Sequence, residues 1–192
     1  MTFTCDWFSG NIGNWQKLLA EYIGKEDLNF LEIGCFEGKA TYWLCSNVLT
    51  GKNCKISVVD TFGGSMEHKD RNFSFDGVKA RFLENTKPYE AMIAIYQMES
   101  QKMLREINAP VFDFIYVDGS HTAPDVLEDA VLAWRLLKQN GIMIFDDYLW
   151  KGYPEIPELN PQLAIDSFLA VMKGKYELLH KEYQVAIRKV VR

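Results

Sequence analysis

Soft metal-binding side chains are scarce in this chain. Its four cysteines, Cys5, Cys35, Cys45 and Cys54, form no CxxC pair and are not spaced with the three histidines as a zinc site requires. Reduced thiols in a cytoplasmic protein are therefore expected. No apolar run approaches the length needed to cross a bilayer. The opening segment lacks the basic start and apolar core of a secretory signal. Basic residues never gather into a block and the net charge is −5, which argues against a nucleic-acid or anionic-membrane surface. Repeats, low-complexity tracts and linkers are missing too, so one domain over residues 1–192 is expected.

Hydrophobic residues make up 48% of the chain and charged residues 24%, enough for a substantial core. Apolar spacing predicts a helix over about residues 12–23, then strands over 28–33, 55–60, 91–96, 111–118 and 142–145. Helices are expected between them, over 39–49, 76–85, 100–107 and from Thr122 to Gln139, where Asn140-Gly141 ends the turn. A helix over 161–172 and two strands, 176–179 and 184–190, close the chain as an antiparallel hairpin. The alternation predicts a doubly wound α/β fold with a seven-stranded, mostly parallel sheet. Residues 61–76 and 151–161, rich in turn formers, read as loops.

Two acidic clusters end the fourth and fifth strands: Val117-Asp118-Gly119-Ser120-His121 and Phe145-Asp146-Asp147-Tyr148. One strand–helix–strand unit separates them, so their carboxyl ends should lie side by side. Asp118, Asp146, Asp147 and His121 would then crowd one rim of the sheet, the place where α/β proteins bind ligands. Such crowding is costly unless a cation or a proton is shared there. A second constellation follows the first strand, Glu32-Ile33-Gly34-Cys35-Phe36-Glu37-Gly38, with Asp60 ending the next strand. Gly34 permits a tight turn or the close approach of a ligand, Gly38 close packing of the helix, and an acid at Asp60 suits ribose hydroxyls. Alternatively, Glu32 and Asp60 are turn or capping carboxylates.

Glu32-x-Gly34-x-x-x-Gly38 followed by Asp60 resembles the cofactor motifs of class I S-adenosylmethionine-dependent methyltransferases, and the closing hairpin is similar to that family's antiparallel last strand. The resemblance covers about residues 28–190 and is strongest up to Trp150, with Phe36 standing where many members carry a glycine. It implies a Rossmann-like methyltransferase fold. Glu32 and Gly34 would line the methionine end of the cofactor, Asp60 would bind ribose, and Glu99 and Ser100 would flank the adenine. Asp118, Asp146 and Asp147 resemble the metal ligands of divalent-cation-dependent O-methyltransferases of the catechol and macrocin types, which implies Mg²⁺ or another divalent cation. The aspartate at 147 matches the sugar-modifying branch, where the catechol enzymes have asparagine. His121 stands where catechol enzymes carry a lysine base. The sugar-modifying relatives place an aspartate base where this chain has Ser120, so His121 is either the base or a capping or orienting residue.

O-methylation of a hydroxylated small molecule, a sugar or a phenol, is the function this resemblance implies, with a homodimer left open. Two other readings keep the fold. One is an iron-dependent hydroxylase using His121, Asp118 and, as second histidine, His68; the other is a non-catalytic S-adenosylmethionine-binding protein. A dinucleotide oxidoreductase fits poorly, because GxGxxG is absent and Glu32 would repel a pyrophosphate. Trp7, Phe8, Tyr148, Trp150 and Tyr153 are candidates for an aromatic wall over the acceptor.

Overall fold

The structure, a computed structural model, describes residues 1–65 and 74–190. Helix α1 (Ile12–Leu18) leads into a short 3-10 turn (Ala20–Tyr22) and strand β1 (Asn29–Ile33). Then follow α2 (Lys39–Asn47), β2 (Lys55–Val59), α3 (Val78–Thr86), β3 (Ile93–Tyr96), α4 (Ser100–Glu106) and β4 (Phe112–Val117). The chain continues through α5 (Ala123–Leu136), β5 (Leu137–Phe145), α6 (Pro161–Val171), β6 (Tyr176–Lys181) and β7 (Val185–Lys189). The seven strands form one sheet in the order β3-β2-β1-β4-β5-β7-β6. The first five run parallel, and β7 is antiparallel to both β5 and β6. This is the doubly wound architecture anticipated from the sequence.

Side chains alternate across the sheet, as a pleated strand requires. Leu31 and Ile33 of β1, Ile115 and Val117 of β4 and Met143 and Phe145 of β5 pack with Ala130, Ala133 and Phe168 of α5 and α6. On the opposite face Phe30, Phe114, Tyr116, Ile142 and Ile144 meet Trp15, Leu44 and Phe82. Trp15 is fully buried, its ring edge-on to Tyr116 with centroids 4.7 Å apart. Both faces are thus covered by helices, which explains why the parallel strands read as nearly continuous apolar runs.

Two element boundaries differ from expectation. The first helix ends at Leu18 and tightens into the 3-10 turn, which lets the Tyr22 hydroxyl donate to the Asp113 carbonyl 2.9 Å away. Helix α5 stops at Leu136 rather than Gln139, and β5 begins at once, Leu137 pairing with Phe112. Asn140, with φ 63°, ends no helix. It sits within β5, where the register with β4 shifts.

Pairing brings the five parallel strands level at their carboxyl ends. Ile33 lies opposite both Val59 and Val117, Val59 opposite Tyr96, and Val117 opposite Phe145. The ladder continues one residue further. Gly34 N–H donates to Val59, Asp118 N–H to Ile33, Asp146 N–H to Val117 and Asp60 N–H to Tyr96. Three acids and a glycine therefore leave the sheet at one rim, at the switch in strand order between β1 and β4.

Gly34 has φ +80°, and a Cβ there would lie 1.9 Å from the carbonyl oxygen of Asp118. The close approach that this glycine permits is by the chain leaving β4. Gly34→Ala combines a left-handed alanine with a backbone clash, so a loss of about 2–5 kcal/mol of stability is expected. Urea unfolding would measure it, and a loss below about 1 kcal/mol would contradict the tight packing of these two turns.

Candidate active site at the carboxyl rim of the sheet

A cavity of about 370 Å³ opens at this rim. Glu32, Gly34, Asp60, Glu99, Ser100, Asp118 and His121 line it, as do Phe3, Cys5, Trp7 and Phe8 from the amino-terminal segment. Gly38, Asp146 and Asp147 do not. Gly38 holds a left-handed conformation, and a Cβ on it would strike Phe82 and Thr86 of α3 at 2.8 Å. Its role is to let α2 and α3 pack closely.

The turn after β1 is tied down by Asp60. One carboxylate oxygen accepts the N–H groups of Cys35 (2.8 Å) and Phe36 (2.9 Å), the other that of Phe62 (2.7 Å). Phe36 takes φ 45°, a backbone that glycine adopts freely and a phenylalanine holds at about 1–2 kcal/mol. Two charge-assisted hydrogen bonds at about 1.5–3 kcal/mol each outweigh that cost. This accounts for the missing middle glycine. Asp60 also occupies the N–H groups that a pyrophosphate would need, which disfavours a dinucleotide here.

Glu32 is 1% exposed, and its carboxylate accepts the Thr41 hydroxyl at 2.6 Å. Burial pushes its carboxyl up to about 8; the Thr41 bond opposes the shift, while Asp118 and Asp60 add to it. Asp118 is raised by burial and then by the charges of Asp146 and Asp147, with His121 opposing.

Two acids of the expected metal set, Asp118 and Asp147, gather with His121. One ligand atom each from Asp118, His121 and Asp147 lies within 4.8 Å of the others. His121 Nε2 is 2.7 Å from Asp147 and 3.9 Å from Asp118. The Tyr183 hydroxyl donates to the other Asp147 oxygen at 2.8 Å. Asp146 lies near enough for its charge to raise the Asp118 carboxyl, and neutral donors surround it. It accepts bonds from the Tyr116 hydroxyl, from Gln184 Nε2 (2.9 Å) and from the Asp147 N–H (2.8 Å), and it is buried. Asp147 has φ 57°, so the two consecutive carboxylates diverge, one into the protein and one to the rim. His68 lies outside the described residues.

The expected aromatic wall divides as well. The Trp150 ring lies against His121, centroids 5.0 Å apart, and against Tyr153 at 5.7 Å. Trp7 packs on Phe36 at 4.8 Å. Phe8 lines the cavity, whereas the Tyr148 hydroxyl donates to Asp166 of α6.

Several participants carry no sequence signal. Tyr183 and Gln184 reach the rim on the β6–β7 turn. Gln184 also accepts the Trp15 indole N–H at 2.8 Å, linking α1 to Asp146. The buried Glu37 accepts both the N–H (2.6 Å) and the hydroxyl (2.7 Å) of Thr4, and pairs with Arg81. Burial opposes ionisation of its carboxyl, yet those bonds hold it below its ordinary value. Lys39 pairs with Asp6 at 2.6 Å, so residues 2–6 are strapped along the cavity mouth.

A family profile described as "Methyltransferase domain" matches residues 31–148, the stretch that holds the glycine turn and both acidic clusters. The uncharacterized protein R132 of Acanthamoeba polyphaga mimivirus is 25% identical over 159 residues, 82% of this chain and 67% of that protein. The O-methyltransferase from Bacillus cereus, solved with SAH, superposes with a TM-score of 0.66 at 15% identity over 97% of this chain and 84% of its own. The MycE methyltransferase of the mycinamycin biosynthetic pathway, solved with Mg and SAH, gives 0.65 at 15% identity over 97% and 51%. This chain belongs to the methyltransferase-domain family and is a class I S-adenosylmethionine-dependent methyltransferase. Among the described residues no helix is long and apolar enough to cross a membrane.

Glu32 sets a pH dependence. Its carboxyl ionises near 4.5 when unperturbed and near 8 in the fold, so across that window the folded chain keeps a proton that the unfolded chain has lost. Stability of the ligand-free protein should therefore fall as pH rises from about 5 to 8. In Glu32→Gln, which can still accept the Thr41 bond, the fall should be smaller by about 1 kcal/mol or more. Parallel urea-unfolding profiles for the two proteins would refute this.

Proposed function

We propose that this protein is an S-adenosylmethionine-dependent O-methyltransferase for a hydroxylated small molecule, assisted by a divalent cation. The observation that carries this reading is the convergence of Asp118, His121 and Asp147 within 4.8 Å, next to a cavity floored by Glu32. Buried carboxyls beside a cavity suit a ligand carrying sulfonium and ammonium charges, and Glu32 and Asp118 would face that end. Gly34 and Asp60 would bound the middle of the cofactor, with Glu99 and Ser100 beside its base. Bound there, the cofactor supplies an electrophilic methyl group, and transfer then depends on holding the acceptor oxygen in line with it.

Two carboxylates and an imidazole fit a divalent cation, with the histidine admitting Mn²⁺ or Fe²⁺ as readily as Mg²⁺. Held by Asp118, His121 and Asp147, such an ion supplies Lewis acidity that favours the deprotonated acceptor hydroxyl. Tyr183 fixes one Asp147 oxygen, leaving the other toward His121. Trp150 covers the imidazole and limits its rotation. Without an ion, Asp147 would instead support His121 as a base, since a carboxylate 2.7 Å from Nε2 stabilises the imidazolium formed when the ring takes up the hydroxyl proton at its other nitrogen. An Nε2 that carries a proton toward Asp147 cannot also ligate an ion, so the two roles are alternatives.

Transfer of labelled methyl from S-adenosylmethionine to a panel of phenols and sugars tests the reading. Activity should vanish with a chelator, return with a divalent cation, and drop at least about 100-fold in Asp118→Asn and Asp147→Asn. Activity that survives the chelator but is lost in His121→Ala would assign His121 as the base and remove the metal.

A further inference from the structure

The strap at the cavity mouth has no part in the chemistry described so far, yet its residues alternate in role. Phe3, Cys5 and Trp7 line the cavity. Thr2, Thr4 and Asp6 between them are fastened to neighbouring elements, a two-residue alternation like that of an extended chain. Asn85 of α3 accepts the Thr2 N–H at 2.8 Å and donates to the Thr2 carbonyl at 3.0 Å. Glu37 holds the N–H and hydroxyl of Thr4, and Lys39 of α2 holds Asp6. Among the described residues, no backbone–backbone hydrogen bond ties residues 2–6 to the rest of the chain. A segment outside every helix and strand, held only through side chains, opens far more readily than the fold unfolds.

The three fastenings differ in weight. Asp6 is exposed, and a surface ion pair of this kind contributes little. Glu37 and Asn85 are each 1% exposed and brace one another, the Asn85 amide donating to the Glu37 carbonyl at 3.0 Å. Arg81 pairs with the Glu37 carboxylate as well. The anchors are therefore fixed, whereas Thr4 is exposed and free to leave them. Two donors on one ionised carboxylate, each favouring the closed segment by roughly tenfold or more, make Thr4 the principal latch. Glu37 follows directly on Cys35 and Phe36, which line the cavity, and Trp7 rests on Phe36. One turn thus supplies both part of the cavity and the latch of its wall.

We propose that residues 2–7 are a gate: Glu37 positions them as a wall of the cavity, and S-adenosylmethionine and its product enter and leave when Thr4 lets go of Glu37. This assignment rests on the methyl-transfer reading. Glu37 is a positioning residue, outside the cavity lining, and takes no part in moving the methyl group.

Association and dissociation rates of S-adenosylhomocysteine, measured by surface plasmon resonance on the full chain, test it. Thr4→Pro removes both donors from an exposed residue on which no helix or strand depends. Both rates should rise by at least about fivefold, while Kd moves less than either, because the latch holds free and ligand-bound protein alike. Thr4→Val, which loses the hydroxyl alone, should give a smaller rise in both. Thr4→Ser keeps both donors and should behave as wild type. Faster dissociation with unchanged association in Thr4→Pro would make the segment a fixed contact surface, and that overturns the gate. A change confined to association, or no change in either rate, overturns it too. Wild-type protein that does not bind S-adenosylhomocysteine overturns the methyl-transfer reading itself.

Discussion

Like-charged groups must be kept apart at the end of a buried parallel sheet, and most of this molecule's peculiarities answer that constraint. Level strand ends put Glu32, Asp60, Asp118 and Asp146 at neighbouring positions on one rim. No arginine or lysine side chain is hydrogen-bonded to any of them among the described residues. Glu32 is met by a threonine hydroxyl, Asp60 by three backbone N–H groups, and Asp146 by a phenol, an amide and a backbone N–H. Neutral donors satisfy lone pairs without cancelling charge, so burial and mutual repulsion raise the carboxyls of Glu32, Asp118 and Asp146 and favour a shared proton or cation at the rim. A cationic ligand relieves that strain, and this is why the rim, rather than any loop, carries the functional reading.

The scaffold around the rim is held by contacts between segments far apart in the chain. Trp15 in the first helix, Gln184 in the last hairpin and Asp146 at the end of β5 form one hydrogen-bonded series. The series crosses the apolar face where Trp15 packs on Tyr116. It holds the Asp146 carboxylate with neutral donors, while the Asp147 carboxylate meets His121 and Tyr183. The antiparallel hairpin is thus more than a closing edge of the sheet, because its turn delivers the two side chains that sort the acidic pair. Glu37 works similarly on the other side, holding Thr4 and with it the strap over the cavity.

Much of this was legible in the sequence. Strand-length apolar runs ending in acids, separated by helical spacing, gave the alternating order, and short connections forced parallel neighbours with their carboxyl ends together. The glycine turn with Asp60 was legible as a site, but the work done by its parts was not. Gly34 makes room for the chain leaving β4, Gly38 for α3, and Asp60 braces the turn. The acidic cluster was legible as a cluster, while its membership was not. Asp146 and Asp147 are adjacent in sequence and interchangeable by composition, and one positive φ separates their fates.

The sequence by itself therefore determined the fold class, the order of its elements and the rim at which the acids gather. Those depend on local periodicity and on the handedness and brevity of connections, which are properties of neighbouring residues. Only the tertiary structure decided which acid faces the cavity, which is hydrogen-bonded away, and which side chains from the two ends of the chain complete the site. Those outcomes depend on side-chain direction and on donors supplied from remote segments.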